Sequence, residues 1–213
     1  MSDRFAARRR RLGEIVGVDG IAVIPAAVEV TRSYDTSFDF HQDPDFLYLT
    51  GFPEPEAVAV ITPGHSDGDY TLFVRARDPE MEAWNGYRAG VDGAKERFGV
   101  DAAYELGELD EVVTRLMIGR DALWYETGNE HHDSRIERLV EKARDHRVRY
   151  GGSVPSAVRD LSVVLGEMRL FKTDDEIASL RRACELTARG HIEAMRFARP
   201  GIYEYQVQAA LEY

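Results

Sequence analysis

Four short apolar runs, each fenced by turn-forming residues, set the limits on what this chain can fold into. They are Gly20-Ile21-Ala22-Val23-Ile24-Pro25, Ala57-Val58-Ala59-Val60-Ile61, Tyr70-Thr71-Leu72-Phe73-Val74 and Asp121-Ala122-Leu123-Trp124-Tyr125. Runs this short and this rich in β-branched and aromatic residues read as buried strands. Pro63 to Asp69 supplies a turn, so the second and third run should pair as an antiparallel hairpin. Between the runs lie helical patterns. Arg4 to Ile15 has Phe5, Arg8, Leu12 and Ile15 in register, and Gly93 to Phe98 is a short helix. Leu109 to Met117 puts Val112, Val113 and Leu116 on one face, and Asp133 to Ala143 does the same with Ile136, Leu139 and Val140. Helices interleaved with strands place roughly the first 165 residues in the α/β class, as one mixed β-sheet flanked by helices.

The remaining stretches carry less pattern. Val28 to Thr36 reads as a loop, and Phe38 to Phe52 as an aromatic segment broken by Pro44 and turned at Gly51. Gly99 to Tyr104 is a brief extended piece, Tyr150 to Pro155 a loop, and Ala157 to Glu167 a helix. A stronger signal follows. Thr173 with Glu176 three residues on is a capping box, and Asp174 and Asp175 complement the helix dipole. Ile177, Leu180, Cys184, Thr187, Ala188, His191, Ile192 and Met195 then recur at helical spacing. The helix should stop before Arg199-Pro200-Gly201, because proline disfavours the α conformation of its predecessor. A further helix opens near Tyr203 and is barely begun at Tyr213, so the last stretch is expected to be an incomplete domain.

Acidic residues outnumber basic ones 38 to 27, and the net charge of −11 speaks against nucleic acid as a partner. The run Arg8-Arg9-Arg10-Arg11 sits within an amphipathic helix and is read as a solvated face. A single cysteine, Cys184, excludes an internal disulfide framework and, on an apolar helix face, is expected to be a buried structural thiol. The first residues lack the apolar core of a signal peptide, and no apolar run approaches bilayer length. The expected location is the cytoplasm, with no membrane partner.

Several strings also carry a resemblance. Glu29-Val30-Thr31-Arg32-Ser33, Asp45 to Phe52, Glu54-Pro55-Glu56-Ala57-Val58, Glu82-Ala83-Trp84-Asn85-Gly86 and Glu167 to Thr173 are similar to the amino-terminal domain of Xaa-Pro aminopeptidases (aminopeptidase P). The last string resembles the junction with the metal-bearing "pita-bread" catalytic domain. The likeness runs from about residue 4 to 213. Pro53 before Glu54-Pro55-Glu56 departs from the family pattern. The resemblance implies residues 1–168 as the amino-terminal domain and 169–213 as the truncated start of the α+β catalytic domain. It implies an enzyme that removes the residue before a penultimate proline, with two manganese ions held by carboxylates and a histidine further along.

None of those ligand motifs matches this chain, so no catalytic or metal residue and no bound cofactor is assigned to it. The expected partners are its own catalytic domain, further copies of itself and peptides with a penultimate proline. By resemblance Trp84 reaches substrate in a neighbouring subunit, with ordinary surface or core packing as the plain alternative. Asp35 matches a family aspartate at the interface with the catalytic domain; a loop cap is the alternative. His131-His132-Asp133, with His146 beyond, is read as a polar helix start with Asp133 or Ser134 as cap, because adjacent histidines diverge too far to share one ion. No Gly-x-Ser-x-Gly elbow, phosphate-loop pattern or His-Glu-x-x-His occurs. Other readings stay open: a free-standing interaction module without catalysis, or the equivalent half of a prolidase or creatinase.

Overall fold

The structure, a computed structural model, describes residues 3–212; the side chains of Asp3, His131 and Tyr150 lie outside the described set. Helix α1 (Asp3–Val16) turns Arg9, Leu12 and Val16 inward, whereas Ile15, expected on the buried stripe, is exposed. Strand β1 (Gly20–Pro25) follows and is buried along nearly its whole length. The stretch expected to be a loop forms a small hairpin of β2 (Thr31–Ser33) and β3 (Thr36–Ser37).

Pro44 does not break the aromatic segment; it starts helix α2 (Pro44–Thr50). The Asp43 side chain accepts from the Asp45 and Phe46 N–H groups at 3.0 and 2.8 Å. A proline at the first helical position loses no intrahelical bond there, which is why the sequence admits both readings. Gly51, at φ 65°, closes the helix and donates to the Leu47 carbonyl.

Strands β4 (Val58–Ile61) and β5 (Tyr70–Val74) pair antiparallel as expected, from Val58 opposite Phe73 to Ile61 opposite Tyr70. A short helix α3 (Pro79–Asn85) and then α4 (Gly90–Phe98) lead to β6 (Ala102–Glu105). A 3₁₀ turn at Leu106–Glu108 feeds α5 (Leu109–Met117), and β7 (Ala122–Tyr125) precedes α6 (Glu130–Tyr150). Residues 157–160, expected to be helical, are instead strand β8 (Ala157–Asp160), and helix α7 (Leu161–Leu170) begins after it.

The strands form one six-stranded mixed sheet in the order β6-β5-β4-β1-β7-β8. β1 is antiparallel to β4 and parallel to β7, which is parallel to β8. On one face Ile21, Val23, Phe73, Leu123 and Tyr125 pack with Leu109, Val113 and Leu116 of α5 and Ile136 and Leu139 of α6. Gly20 and Trp124 look to the other face, where Val16 of α1 comes close and where α1, α2 and β1 meet.

The arginine run is not a solvated face throughout. Arg10 and Arg11 are exposed, but the buried Arg9 donates to the Leu49 carbonyl at 3.0 Å and the Gly99 carbonyl at 3.3 Å, its guanidinium 4.1 Å from the Tyr70 ring centre. Those carbonyls end α2 and follow α4, where helix ends leave acceptors unmet. Arg8 likewise donates to the Tyr48 carbonyl and covers the Tyr48 ring.

The chain divides into two units, Met1–Leu165 and Gly166–Tyr213. In the second, α8 (Asp174–Phe197) starts on the expected capping box: the Thr173 N–H donates to Glu176 at 2.8 Å and the Glu176 N–H to the Thr173 hydroxyl at 3.4 Å. It stops at Ala198, and α9 (Glu204–Glu212) returns against it. A Cβ on Gly190 would sit 3.1 Å from the Leu211 carbonyl oxygen, so a glycine permits that contact. Neither helix has a buried residue. Cys184 is therefore exposed and not the buried thiol expected from its helical face. Among the described residues no helix is long and apolar enough to cross a membrane.

Candidate functional site

Trp84 stands on α3, and every local device around it holds that helix in place. Seven residues are too few for a helix to persist on propensity alone. The Asp78 side chain accepts from the Glu80 and Met81 N–H groups at 3.1 and 3.2 Å, Pro79 occupies the first turn, and the Gly86 N–H returns to the Glu82 carbonyl. The Arg77 guanidinium grips Glu82 with two bonds of 3.0 Å. That hydrogen bond is the main reason the Glu82 carboxyl lies below the usual carboxylate range. None of α3 is buried, and the Trp84 side chain is 86% exposed. Tyr87, also exposed, lies between the Arg77 and Arg97 guanidinium groups, 5.0 and 5.4 Å from its ring centre. The result is a fixed aromatic surface with an open indole face.

Sequence reading singled out Trp84 but missed the clamp around it. Its signal was present: Asp78-Pro79 is a cap followed by a first-turn proline, and Glu80 and Glu82 suit a helix start.

Asp35 sits with Tyr34 at the tip of the β2–β3 hairpin. Tyr34 adopts φ 47°, a left-handed conformation that costs a side-chain-bearing residue free energy, and its ring is fully exposed. The pairing shifts register between Thr31 and Ser33, which marks a bulge. The Arg32 guanidinium lies 5.9 Å from the Phe38 ring centre beside it. Asp35 is exposed.

The histidine cluster takes a helix-start arrangement, although not with the expected caps. α6 begins at Glu130, so Asp133 and Ser134 lie inside it. The Asn129 carbonyl accepts from the Asp133 N–H at 2.8 Å, and the Asp133 carboxylate reaches back to the Gly128 N–H at 3.0 Å. The side chain of His131 lies outside the described residues. Among the described residues no three His, Cys, Asp or Glu side chains are grouped to hold a metal ion. The residues present therefore do not fit the two-ion centre that the resemblance implies, and no chemical step is derived through it.

The family described as "Aminopeptidase P, N-terminal domain" matches residues 5–125, more than half of the chain. The chain belongs to this family. It is 39% identical over 211 residues to the Xaa-Pro aminopeptidase of Escherichia coli K12, covering 98% of this chain and 48% of that protein. To the Xaa-Pro aminopeptidase of Haemophilus influenzae it is 31% identical, covering 97% and 46%. Among solved structures, Pseudomonas aeruginosa aminopeptidase PepP superposes with a TM-score of 0.93 at 42% identity, covering 98% of this chain and 47% of that one. The zinc-substituted E. coli aminopeptidase P in complex with product gives 0.92 at 39%, covering 100% and 49%. The chain thus spans about half the length of the relatives it matches. The α/β fold with a mixed sheet and the aminopeptidase P likeness agree with the reading of the sequence.

Proposed function

We propose that this chain is the amino-terminal half of a manganese-dependent Xaa-Pro aminopeptidase, an enzyme that removes the residue ahead of a penultimate proline. Residues 1–168 are its amino-terminal domain, and 169–213 supply the first helices of the catalytic domain. The metal ligands and the bond-breaking chemistry belong to the other half; this half shapes the substrate cleft and builds a homo-oligomer.

The observation that carries the site assignment is the 86% exposed indole of Trp84 on a helix clamped at both ends. A rigid aromatic wall suits a proline ring, and an apolar face held out to water is covered most favourably by a partner or substrate. In the assembled enzyme Trp84 closes over peptide bound in a neighbouring copy. Asp35, at the tip of an exposed hairpin, contacts the catalytic domain.

The test is made on the enzyme completed by its catalytic half, loaded with manganese and given an Xaa-Pro tripeptide. Trp84→Ala should raise KM about tenfold, the equivalent of ~1.4 kcal/mol, within the range of one aromatic contact. Trp84→Phe should restore most of it, with kcat nearly constant in both variants. An unchanged KM overturns the role of Trp84, and failure of the completed wild-type enzyme to release the residue before proline overturns the activity.

A further inference from the structure

Helix α3 has no buried residue, so core packing does not decide where Trp84 stands. The Asp78 cap shapes its first turn but ties the helix to itself. Arg77, three residues past the end of β5, ties it to the elements on either side. The Arg77 Nε and Nη2 donate to the two Glu82 carboxylate oxygens, each at 3.0 Å. The Arg88 backbone N–H donates to the same carboxylate, and the Arg88 side chain to the Ala76 carbonyl at 3.3 Å. Residues 76–88 thus close into a ring between β5 and α4, and α4 packs on β5 and β6.

The Arg77 stem has a fitting of its own. Gly90, the first residue of α4, sits at φ 61°, and a Cβ there would stand 2.6 Å from the Arg77 Cγ and 3.3 Å from its Cδ. The Arg77 guanidinium lies over the Tyr87 ring, 5.0 Å from its centre, and Arg97 approaches the same ring at 5.4 Å. Stem, plane and fork are each met by a different residue. Yet the Arg77 side chain is 55% exposed, and an ion pair in such a setting adds little stability. Three fittings on so exposed a side chain serve the placement of α3 more than the strength of the fold.

We propose that Arg77 is a positioning residue for the Trp84 indole and, through it, a determinant of selectivity for proline over other second residues. The inference rests on the reading of Trp84 as a wall against bound peptide. A pyrrolidine ring is rigid and flat-sided, so it gains most from an aromatic face already held in place. If α3 wanders, the indole must be ordered at each binding event, and that cost counts against the proline contact. An alanine in the second position offers the indole a single methyl group and feels the loss far less.

The test uses the enzyme completed by its catalytic half, with an Xaa-Pro tripeptide as substrate and an Xaa-Ala tripeptide as competitor. Arg77→Ala should raise KM for Xaa-Pro about fivefold at nearly constant kcat, and weaken the Xaa-Ala competitor less than about twofold. Arg77→Lys keeps the charge but neither the fork nor the planar face, so it should behave like Arg77→Ala. In a Trp84→Ala background Arg77→Ala should add less than about twofold, because an effect carried by the indole disappears with it. A second readout needs no catalysis. In the 213-residue chain labelled with 5-fluorotryptophan, Arg77→Ala should move the Trp84 ¹⁹F line and leave that of the buried Trp124 in place. Additive effects of the two substitutions, equal weakening of the Xaa-Pro and Xaa-Ala peptides, rescue by Arg77→Lys, or an unmoved Trp84 line would each overturn the role of Arg77 while the Trp84 reading stands. An unchanged KM in Trp84→Ala overturns both together.

Discussion

The sheet unit and the α8–α9 pair follow the same local rules and reach opposite degrees of burial. In the first unit Phe46, Phe52, Phe73 and Tyr125 are almost wholly removed from water. In the second, α8 runs for 24 residues with apolar side chains at regular spacing and buries none of them. Leu180, Ile192, Met195 and Leu211 remain exposed. A capping box and i,i+3 ion pairs such as Arg182–Glu185 and Arg196–Glu193 settle that α8 is a helix. They cannot supply the second layer that an apolar stripe needs to leave water. Periodicity therefore reports helix formation in both units and a hydrophobic core only where a sheet lies opposite.

The largest effect should come from cutting the same kind of side chain in each unit. Phe73→Ala should cost about 3–5 kcal/mol of stability, because it empties a filled core. Ile192→Ala should cost less than ~1 kcal/mol, since that side chain is 43% exposed already. Urea midpoints of the two variants measure this, and an equal loss at Ile192 would break the contrast.

A smaller pair of changes sharpens it. Gly51→Ala places a Cβ 2.6 Å from the Phe5 ring at φ 65°, combining overlap with backbone strain; about 2 kcal/mol is expected. Gly201→Ala, at φ 93° with open space around it, should carry the strain alone, about 1 kcal/mol. Thermal unfolding of both variants separates crowding from strain.

The smallest effect is electrostatic. Burial pushes the Asp110 carboxyl up, but hydrogen bonds and charge from Arg135 and Lys142 more than reverse this, leaving it below its ordinary 3.8. A carboxyl lowered by folding stabilises the protein above its unfolded pKa and loses that contribution as pH falls through the folded one. Stability followed from pH 5 towards pH 2 should decline less steeply in Asp110→Asn, by under ~1 kcal/mol because the pair is partly solvated. An unchanged slope would remove the pair from the comparison.

Much of the fold was legible because burial leaves a pattern. The runs at 20–25, 57–61, 70–74 and 121–125 all became sheet strands, and Thr173 with Glu176 formed the cap that their spacing predicted. What escaped lies where the side chains face water. β8 has four exposed residues and so no apolar run to betray it. The β2–β3 hairpin is equally exposed and turns on Tyr34 where a glycine or asparagine would have signalled the bend. Arg9 misled for the opposite reason: a guanidinium buried against two helix-end carbonyls is indistinguishable in sequence from its solvated neighbours. The crevice at the carboxyl ends of β1 and β7 was invisible because Asp43 and Glu126, far apart in sequence, line it together only in the fold.

The strand order also leaves β8 as an outer strand of the sheet among the described residues, the kind of rim on which another chain can add a strand. Arg159 lies with its guanidinium 5.1 Å from the Trp124 ring centre, and Asp160 ends the strand by accepting from the Ser162 N–H. Charge at the last two positions makes that rim a poor template for intermolecular strand growth, and replacing Arg159 with an aliphatic residue would open a route to aggregation and take the guanidinium off the buried Trp124 ring.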